Sequence, residues 1–313
     1  MRRFLALART ATVESLAEPL TAVLFLSGLA TVHLAPVFHY HQFGEAGRLA
    51  RECGFSALLV FGLIFATAAA LHTIGRELES GTAAATLALA VPRSLFFVAK
   101  VMGVLAALSL FAAAVACATT LSHGNSAIAS LLQSEHGEGA QSWGPGLACG
   151  VGFTLGAFAL AAAANRFWRM RFCLSACLLL AFGQPLALLL AWVSGNGLPA
   201  SFAGFGQLFA RLLPPFVVLL VGCSVFVALA GALATRLKGA PATAIVAFAI
   251  VASFVRPIRF LLPDINHFWL VDRLAGGAAL TWSEACPVLG AGLLLIMLWL
   301  LTGALLLSRR EIS

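Results

Sequence analysis

Charged side chains are scarce in this sequence. Only 10% of the 313 residues are charged, 61% are hydrophobic, and the mean hydropathy is +0.99. Soluble domains carry roughly 25% charged residues, so this chain has too little polar surface to be solvated as a globule. The composition indicates a membrane protein. Its 19 basic residues are scattered along the chain rather than clustered, which argues against a nucleic-acid partner.

Lysine is nearly absent, and the positions of the two lysines exclude ATP hydrolysis at a glycine-rich phosphate-binding loop. The only two lysines, Lys100 and Lys238, do not follow a glycine-rich loop of the kind that cradles nucleotide phosphates. The chain is therefore not expected to hydrolyse ATP by itself in that way. We predict that it is not an enzyme.

Acidic residues are missing from the interiors of the apolar segments. All 12 lie in predicted loops or at predicted helix ends. Ion-coupled transporters usually keep ionisable groups inside the membrane. The pattern therefore counts against a secondary transporter, although that class remains an alternative.

Motifs for metal binding and covalent catalysis are also lacking. His33, His39 and His41 are spaced six and two residues apart, which does not put three ligands on one helical face. The seven cysteines include no C-x-x-C pair. We predict no metal, no cofactor bound by this chain and no catalytic residue.

What the sequence does contain is eight long apolar runs. Most approach or exceed the roughly 20 residues that cross a bilayer, and such runs must be helical in lipid. We predict an all-α, polytopic membrane helix bundle forming a single domain over residues 1–313, with an interfacial helix over residues 1–18 and about eight crossings. The runs are Pro19 to Val37, Gly54 to Leu71, Leu95 to Leu121, Gly146 to Asn165, Phe172 to Val193, Leu212 to Thr235, Pro241 to Val255 and Pro287 to Leu307.

The distribution of basic residues predicts the orientation. With the amino terminus inside, the cytoplasmic segments hold 13 of the 19 arginines and lysines, as the positive-inside rule expects. Both termini are then cytoplasmic. The short seventh run leaves open a rival with six crossings plus a re-entrant hairpin, which would leave Arg236 and Lys238 at membrane depth or outside.

Two further segments predict a helix contact and a short surface helix. Gly152 and Gly156 form a small-residue ridge on the fourth run, for which we expect packing within the bundle. Residues 256–286 form the longest outer segment, which we expect to hold a short surface helix carrying Phe268, Trp269 and Leu270.

The most informative stretch is the polar break over residues 72–94, between the second and third runs. Ile74 and Leu78 make one apolar stripe, while charged residues occupy the other faces, Gly81 can end a short helix, and Pro92 breaks the chain before the next run. This layout predicts a short helical elbow on the cytoplasmic surface. The candidate coupling residues are Arg76, Glu77, Glu79, Ser80, Gly81, Thr82, Pro92 and Arg93.

This elbow resembles the first cytoplasmic loop of the ABC-2 type permeases. The resemblance consists of R-E-x-E-x-G-T, then mostly apolar residues, then P-R-S, an aromatic pair and a lysine. It extends to the interfacial helix, to the basic turn over residues 165–171 and to the tail over residues 308–312. The matching elbow residues are Arg76-Glu77, Glu79, Gly81-Thr82, Pro92-Arg93-Ser94, Phe96-Phe97 and Lys100.

The resemblance implies a permease subunit of an ATP-driven exporter in a bacterial cytoplasmic (inner) membrane. It implies two copies of a separate ATPase, which would bind ATP and Mg, together with a second permease copy or a related permease. Ala83, Ala84 and Ala85 stand where family elbows often carry larger aliphatic residues. A non-transporting membrane scaffold or assembly factor remains the main alternative.

Overall fold

The computed structural model describes residues 1–35, 48–83, 91–136, 145–193, 202–237, 239–254, 265–269 and 280–309. Within these ranges every regular element is helical. His39 and His41, the alanines after Ala83 in the elbow, Lys238 and most of residues 256–286 lie outside the described residues.

The helices follow the apolar runs. A π-helical turn at Leu71–Gly75 joins α3 to α4. The bounds are α1 Arg2–Ala17, α2 Pro19–Leu34, α3 Arg48–Ala70, α4 Arg76–Glu79, α5 Arg93–His136, α6 Pro145–Trp168, α7 Phe172–Val193, α8 Phe202–Ala234, α9 Gly239–Ala252, α10 Ile265–Phe268 and α11 Trp282–Ser308.

Five helices in the described part of the chain are long and apolar enough to cross a membrane. The count rises to six if α1 and α2, which are bent by 69° at their junction, form one span. The fold is thus an all-helical bundle with several candidate spans. Helix α9 has 14 residues, or about 21 Å at 1.5 Å per residue.

Two helix ends differ from the sequence prediction by ten residues or more. The third run was expected to end at Leu121, but α5 continues as a helix to His136, because no proline interrupts it there. The sixth run was expected to begin at Leu212, whereas α8 begins at Phe202 and passes through Pro214 and Pro215. The apolar runs locate helices but do not set their ends.

The core lies where α3, α5 and α8 meet. Phe111 packs edge-on against Phe25 with ring centroids 5.1 Å apart, and it stacks with Phe65 at 6.1 Å. Among the candidate spans α8 is the most buried and α11 the least. The first half of the chain therefore surrounds a phenylalanine-rich centre, while α11 presents most of its surface outward.

Contacts distant in sequence gather several helix ends around the elbow. Glu79 Oε1 accepts a hydrogen bond from Gly239 N at the start of α9 (2.9 Å), and Arg93 Nη1 donates to Ser308 O at the end of α11 (3.1 Å). The elbow, the α8–α9 junction and the end of α11 therefore lie at one end of the bundle. This is the arrangement that alternating helix directions require.

The one-turn helix α10 is partly buried within the bundle. A Cβ added to Gly222 of α8 or Gly292 of α11 would come 3.1 Å from the Phe268 ring. Phe268 is only 4% exposed. The sequence prediction placed Phe268 on a surface helix, and this is wrong. Its ring fills a gap between α8 and α11 instead.

Candidate functional site: the elbow and its buried lysine

The elbow begins without a break in the helix. Helix α3 passes into the π-helical turn, whose residues Thr73, Ile74 and Gly75 are buried, and then into the four residues of α4. Gly81 follows in the left-handed region at φ +73°, a conformation that costs glycine little. It ends the short helix, as its position in the sequence predicts.

Lys100 ties the elbow to two other elements. Its side chain is buried on α5, and its Nζ lies 2.6 Å from Glu77 Oε1 of α4 and 3.0 Å from Glu14 Oε2 of α1. Its Nζ is also 6.0 Å from the centroid of the Phe96 ring. One ammonium group therefore connects three helices that are far apart in sequence.

The charges of this lysine cluster, comprising Glu14, Glu77 and Lys100, do not balance. Two carboxylates share one ammonium group, which leaves one negative charge in excess. The Glu77 side chain is 21% exposed, and its Oε2 is buried with no hydrogen-bond partner. Glu14 is 35% exposed and can be hydrated. Because burying an unpaired carboxylate is costly, Glu77 depends on Lys100 more than Glu14 does.

Helix α1 is seated directly on α5 beside the lysine cluster. A Cβ at Gly103 would come 2.4 Å from Ala8 O and 2.5 Å from Ala11 Cβ, so only glycine permits this approach. Thr12 Oγ1 donates a hydrogen bond to Gly103 O (2.9 Å). The predicted interfacial helix is thus packed against the bundle along one face.

A second contact holds α1 to the π-helical turn. The hydroxyl oxygens of Ser15 and Thr73 lie 3.2 Å apart, and both residues are buried. Movement of the turn would therefore be passed to α1 by two routes, one through these hydroxyls and one through Lys100.

His72 lies between a carboxylate and a guanidinium group. Its Nε2 is 3.0 Å from Glu18 Oε1 and 3.1 Å from Arg76 Nη1. That nitrogen can donate to the carboxylate or accept from the guanidinium, but no single tautomer does both. Its Nδ1 is buried without a partner. The ring therefore offers two alternative links at the elbow.

The predicted coupling residues separate into three that contact other helices and five others. Glu77 joins the lysine cluster, Glu79 binds the start of α9 and Arg93 binds the end of α11. Ser80, Gly81 and Thr82 are exposed around the turn, where the Ser80 and Thr82 hydroxyls lie 2.9 Å apart. The remaining predicted residues, Arg76 and Pro92, are also exposed.

The sequence prediction did not include Glu14, His72 or Lys100 among the coupling residues, although His72 lies in the predicted elbow and Lys100 is part of the family resemblance. The available signal was Lys100 itself, a cation in the first turns of an apolar helix, which requires a partner when buried. The partners could not be read from the chain, because Glu14 is 86 and Glu77 is 23 residues away.

The contacts of the elbow connect it to other helices of the bundle. Its short helix is fixed on the inner side by ion pairs and hydrogen bonds, and it exposes a small polar edge on the other. No group of three or more potential metal ligands occurs among the described residues. The arrangement suits binding and transmission of force.

A separate buried polar cluster links α2, α6 and α7. His33 Nε2 is 3.1 Å from Gln184 Oε1, and Gln184 Nε2 donates to Thr154 Oγ1 (3.1 Å). All three residues are buried. His33, one of the three histidines whose spacing argued against a metal site, is thus buried in the bundle. The apolar surroundings of this cluster make its hydrogen bonds strong helix-to-helix links.

No protein-family model matches the chain, and neither does any curated protein or solved structure.

Proposed function

We propose that the chain is the membrane-spanning subunit of an ABC-2 type exporter and that its elbow receives the motion of a separate ATPase. The observation that carries the proposal is the lysine cluster. Through Lys100, the outward-facing elbow is joined to α1 by Glu14 and to α5 by the backbone of the lysine itself. A force on the exposed edge would thus reach two helices of the bundle.

Transmission requires the elbow to move as a unit, and its surroundings permit this. A groove of about 610 Å³ lies between the end of α3 and α9, beside Arg76 and Glu79. It gives the elbow room on that side, while the lysine cluster holds the other side. Rigid-body shifts of short helices at subunit interfaces are a common means of switching.

The proposed assembly follows from the family resemblance. Eight crossings with both termini in the cytoplasm put the elbow on the ATPase side, in a bacterial inner membrane. Two ATPase copies carrying ATP and Mg would act on a pair of permeases. The uncharged interiors of the spans favour an apolar or amphiphilic cargo.

Two variants separate docking from transmission. Ser80→Arg places a bulky cation on the exposed edge without touching the lysine cluster. Lys100→Met breaks the cluster without changing the edge. Each permease is coexpressed with its candidate ATPase, and complex recovery and ATPase stimulation are measured.

We expect Ser80→Arg to lose the complex. Lys100→Met should keep the complex but lose most of the stimulation. Arg211→Met, which removes an exposed cation near the start of α8, away from the elbow, is the control that should behave as wild type. Wild-type recovery and stimulation in both test variants would reject the assignment.

One observation favours a proton-coupled secondary transporter as a second candidate. His33 is an ionisable group buried among three helices, and such groups often mark proton pathways. Vesicles with an imposed pH gradient and no ATPase test this reading. Substrate movement that is abolished by His33→Gln would favour it over the exporter. A scaffold would move no substrate under either condition.

A further inference from the structure

The turn between α6 and α7 is an exposed, positively charged segment of the bundle's surface. Seven consecutive residues, 165–171, are exposed, and they include three arginines and no acidic residue. Phe167 is 78% and Trp168 is 75% exposed. Exposed aromatic rings next to arginines are typical of a headgroup-level membrane contact.

The basic turn leaves its three arginine side chains at the surface. Among the described residues, none of the Arg166, Arg169 and Arg171 side chains makes a hydrogen bond or ion pair. Their positive charges are therefore available to a ligand. The first amides of α7, a 22-residue helix, lie at the same turn and add a favourable field for an anion.

The backbone of the basic turn is held in an unusual conformation. Arg169 has φ 53°, which costs a non-glycine residue roughly 1–2 kcal/mol. Glycine would adopt the same conformation without that cost. The turn thus keeps an arginine where a glycine would be more stable, which suggests that its side chain is used.

An apolar groove runs along the same two helices. It has a volume of about 490 Å³ and is bordered on α6 by Gly152, Gly156 and Leu160 and on α7 by Leu179 and Phe182. A Cβ at Gly152 or Gly156 would meet nothing within 4 Å. The expectation that these glycines pack within the bundle is therefore wrong, and they leave an open floor instead.

The groove lies next to the basic turn along both helices. Leu160 precedes Arg166 by six residues, or about 9 Å of helix, and Leu179 follows Arg171 by eight residues, or about 12 Å. A ligand with an anionic head and an apolar chain can therefore place its head at the arginines and its chain on the glycine floor.

We propose that the basic turn and the α6–α7 groove together bind an anionic phospholipid. The arginines pair with the phosphate-containing headgroup, and the groove holds an acyl chain. The exposed aromatic rings favour lipid over an acidic protein surface, because they sit well at the membrane interface. This site is independent of any ATPase and does not rest on the proposed transport function.

The test uses the purified full chain in neutral detergent. It is titrated with phosphatidylglycerol that carries bromine near the ester end of one acyl chain, and with phosphatidylcholine brominated in the same way. Quenching of Trp168 is taken as the difference between wild type and Trp168→Phe. We expect phosphatidylglycerol to bind more tightly than phosphatidylcholine.

Three variants test whether the arginines or the groove give the preference for phosphatidylglycerol. Arg169→Gly should weaken phosphatidylglycerol binding about fivefold without loss of thermal stability, and adding Arg166→Gln and Arg171→Gln should weaken it about 100-fold. Gly156→Leu fills the groove and should weaken both lipids alike. Arg236→Gln, an exposed arginine elsewhere, should change nothing.

Several results would overturn the proposal. Equal binding of the two lipids, or unchanged binding in the triple arginine variant, would remove the anionic site. Displacement of the brominated lipid by millimolar sodium phosphate would point to a site for the free anion. Loss of ATPase recruitment in the arginine variants with unchanged lipid binding would assign the turn to a protein partner.

Discussion

Replacing Lys100 with methionine should destabilise the protein more than any other single change at the elbow. The substitution keeps an unbranched side chain, one atom shorter, but leaves Glu77 and Glu14 without their shared cation. Removing one partner of a buried ion pair costs about 3–5 kcal/mol. Glu14 is 35% exposed and regains water, whereas Glu77 is 21% exposed and already has an unpartnered Oε2. We therefore expect a loss of about 3 kcal/mol.

The assay is thermal unfolding of the purified chain in detergent, read as the order of midpoints across a set of variants. Lys100→Met should unfold first, Glu77→Gln at an intermediate temperature, and Glu14→Gln close to wild type. Combining Lys100→Met with Glu77→Gln should recover much of the loss, because the buried charge is then gone. Arg236→Met controls for the general loss of a cation.

The order of the thermal midpoints tests whether Glu77 depends on Lys100 more than Glu14 does. If Glu14→Gln destabilised the protein as much as Lys100→Met, or if the double variant fell below Lys100→Met, our account of the lysine cluster would be refuted.

Three further changes have expected outcomes of their own. Gly103→Leu should separate α1 from α5 and lower the free energy of unfolding by about 1–3 kcal/mol, because a Cβ at this position collides with Ala8 O. Faster tryptic cleavage within α1 would reveal the separation, and unchanged cleavage would contradict the prediction. Gln184→Leu removes the hydrogen-bond partner of buried His33, so the thermal midpoint should fall by an amount equivalent to about 1–3 kcal/mol. Glu79→Ala removes the acceptor for the first amide of α9, so hydrogen exchange should quicken over residues 239–252 by the equivalent of about 1 kcal/mol and remain unchanged in α7.

Local signals in the sequence were enough to find the helices. The fifth run, predicted from Phe172 to Val193, matches α7 at both ends, because the basic turn marks one end and the apolar run continues to the other. The start of α8 was missed by ten residues, since the hydropathy falls around Arg211 while the helix continues. Hydropathy reports the membrane environment rather than the hydrogen bonds that end a helix.

The candidate site could be predicted only in part. Gly81 and the charged residues around it identified the elbow, because turn chemistry is local. The role of Lys100 was not predictable, since its partners come from α1 and α4 and meet only when the bundle has packed. The glycine ridge was misassigned for a related reason. Small residues permit close approach, but the sequence does not say whether a helix, a lipid or nothing comes near.

The shortness of α9 has a consequence for the surrounding bilayer. Its length of about 21 Å is roughly 9 Å less than a typical hydrocarbon core, yet it exposes Phe248 and Val251 on its outer surface. Hydrophobic mismatch costs a fraction of a kcal/mol for each ångström. In the eight-crossing arrangement proposed above, in which α9 is a span, lipid beside this helix would thin or flanking polar side chains would extend toward the interface, next to the groove that adjoins the elbow.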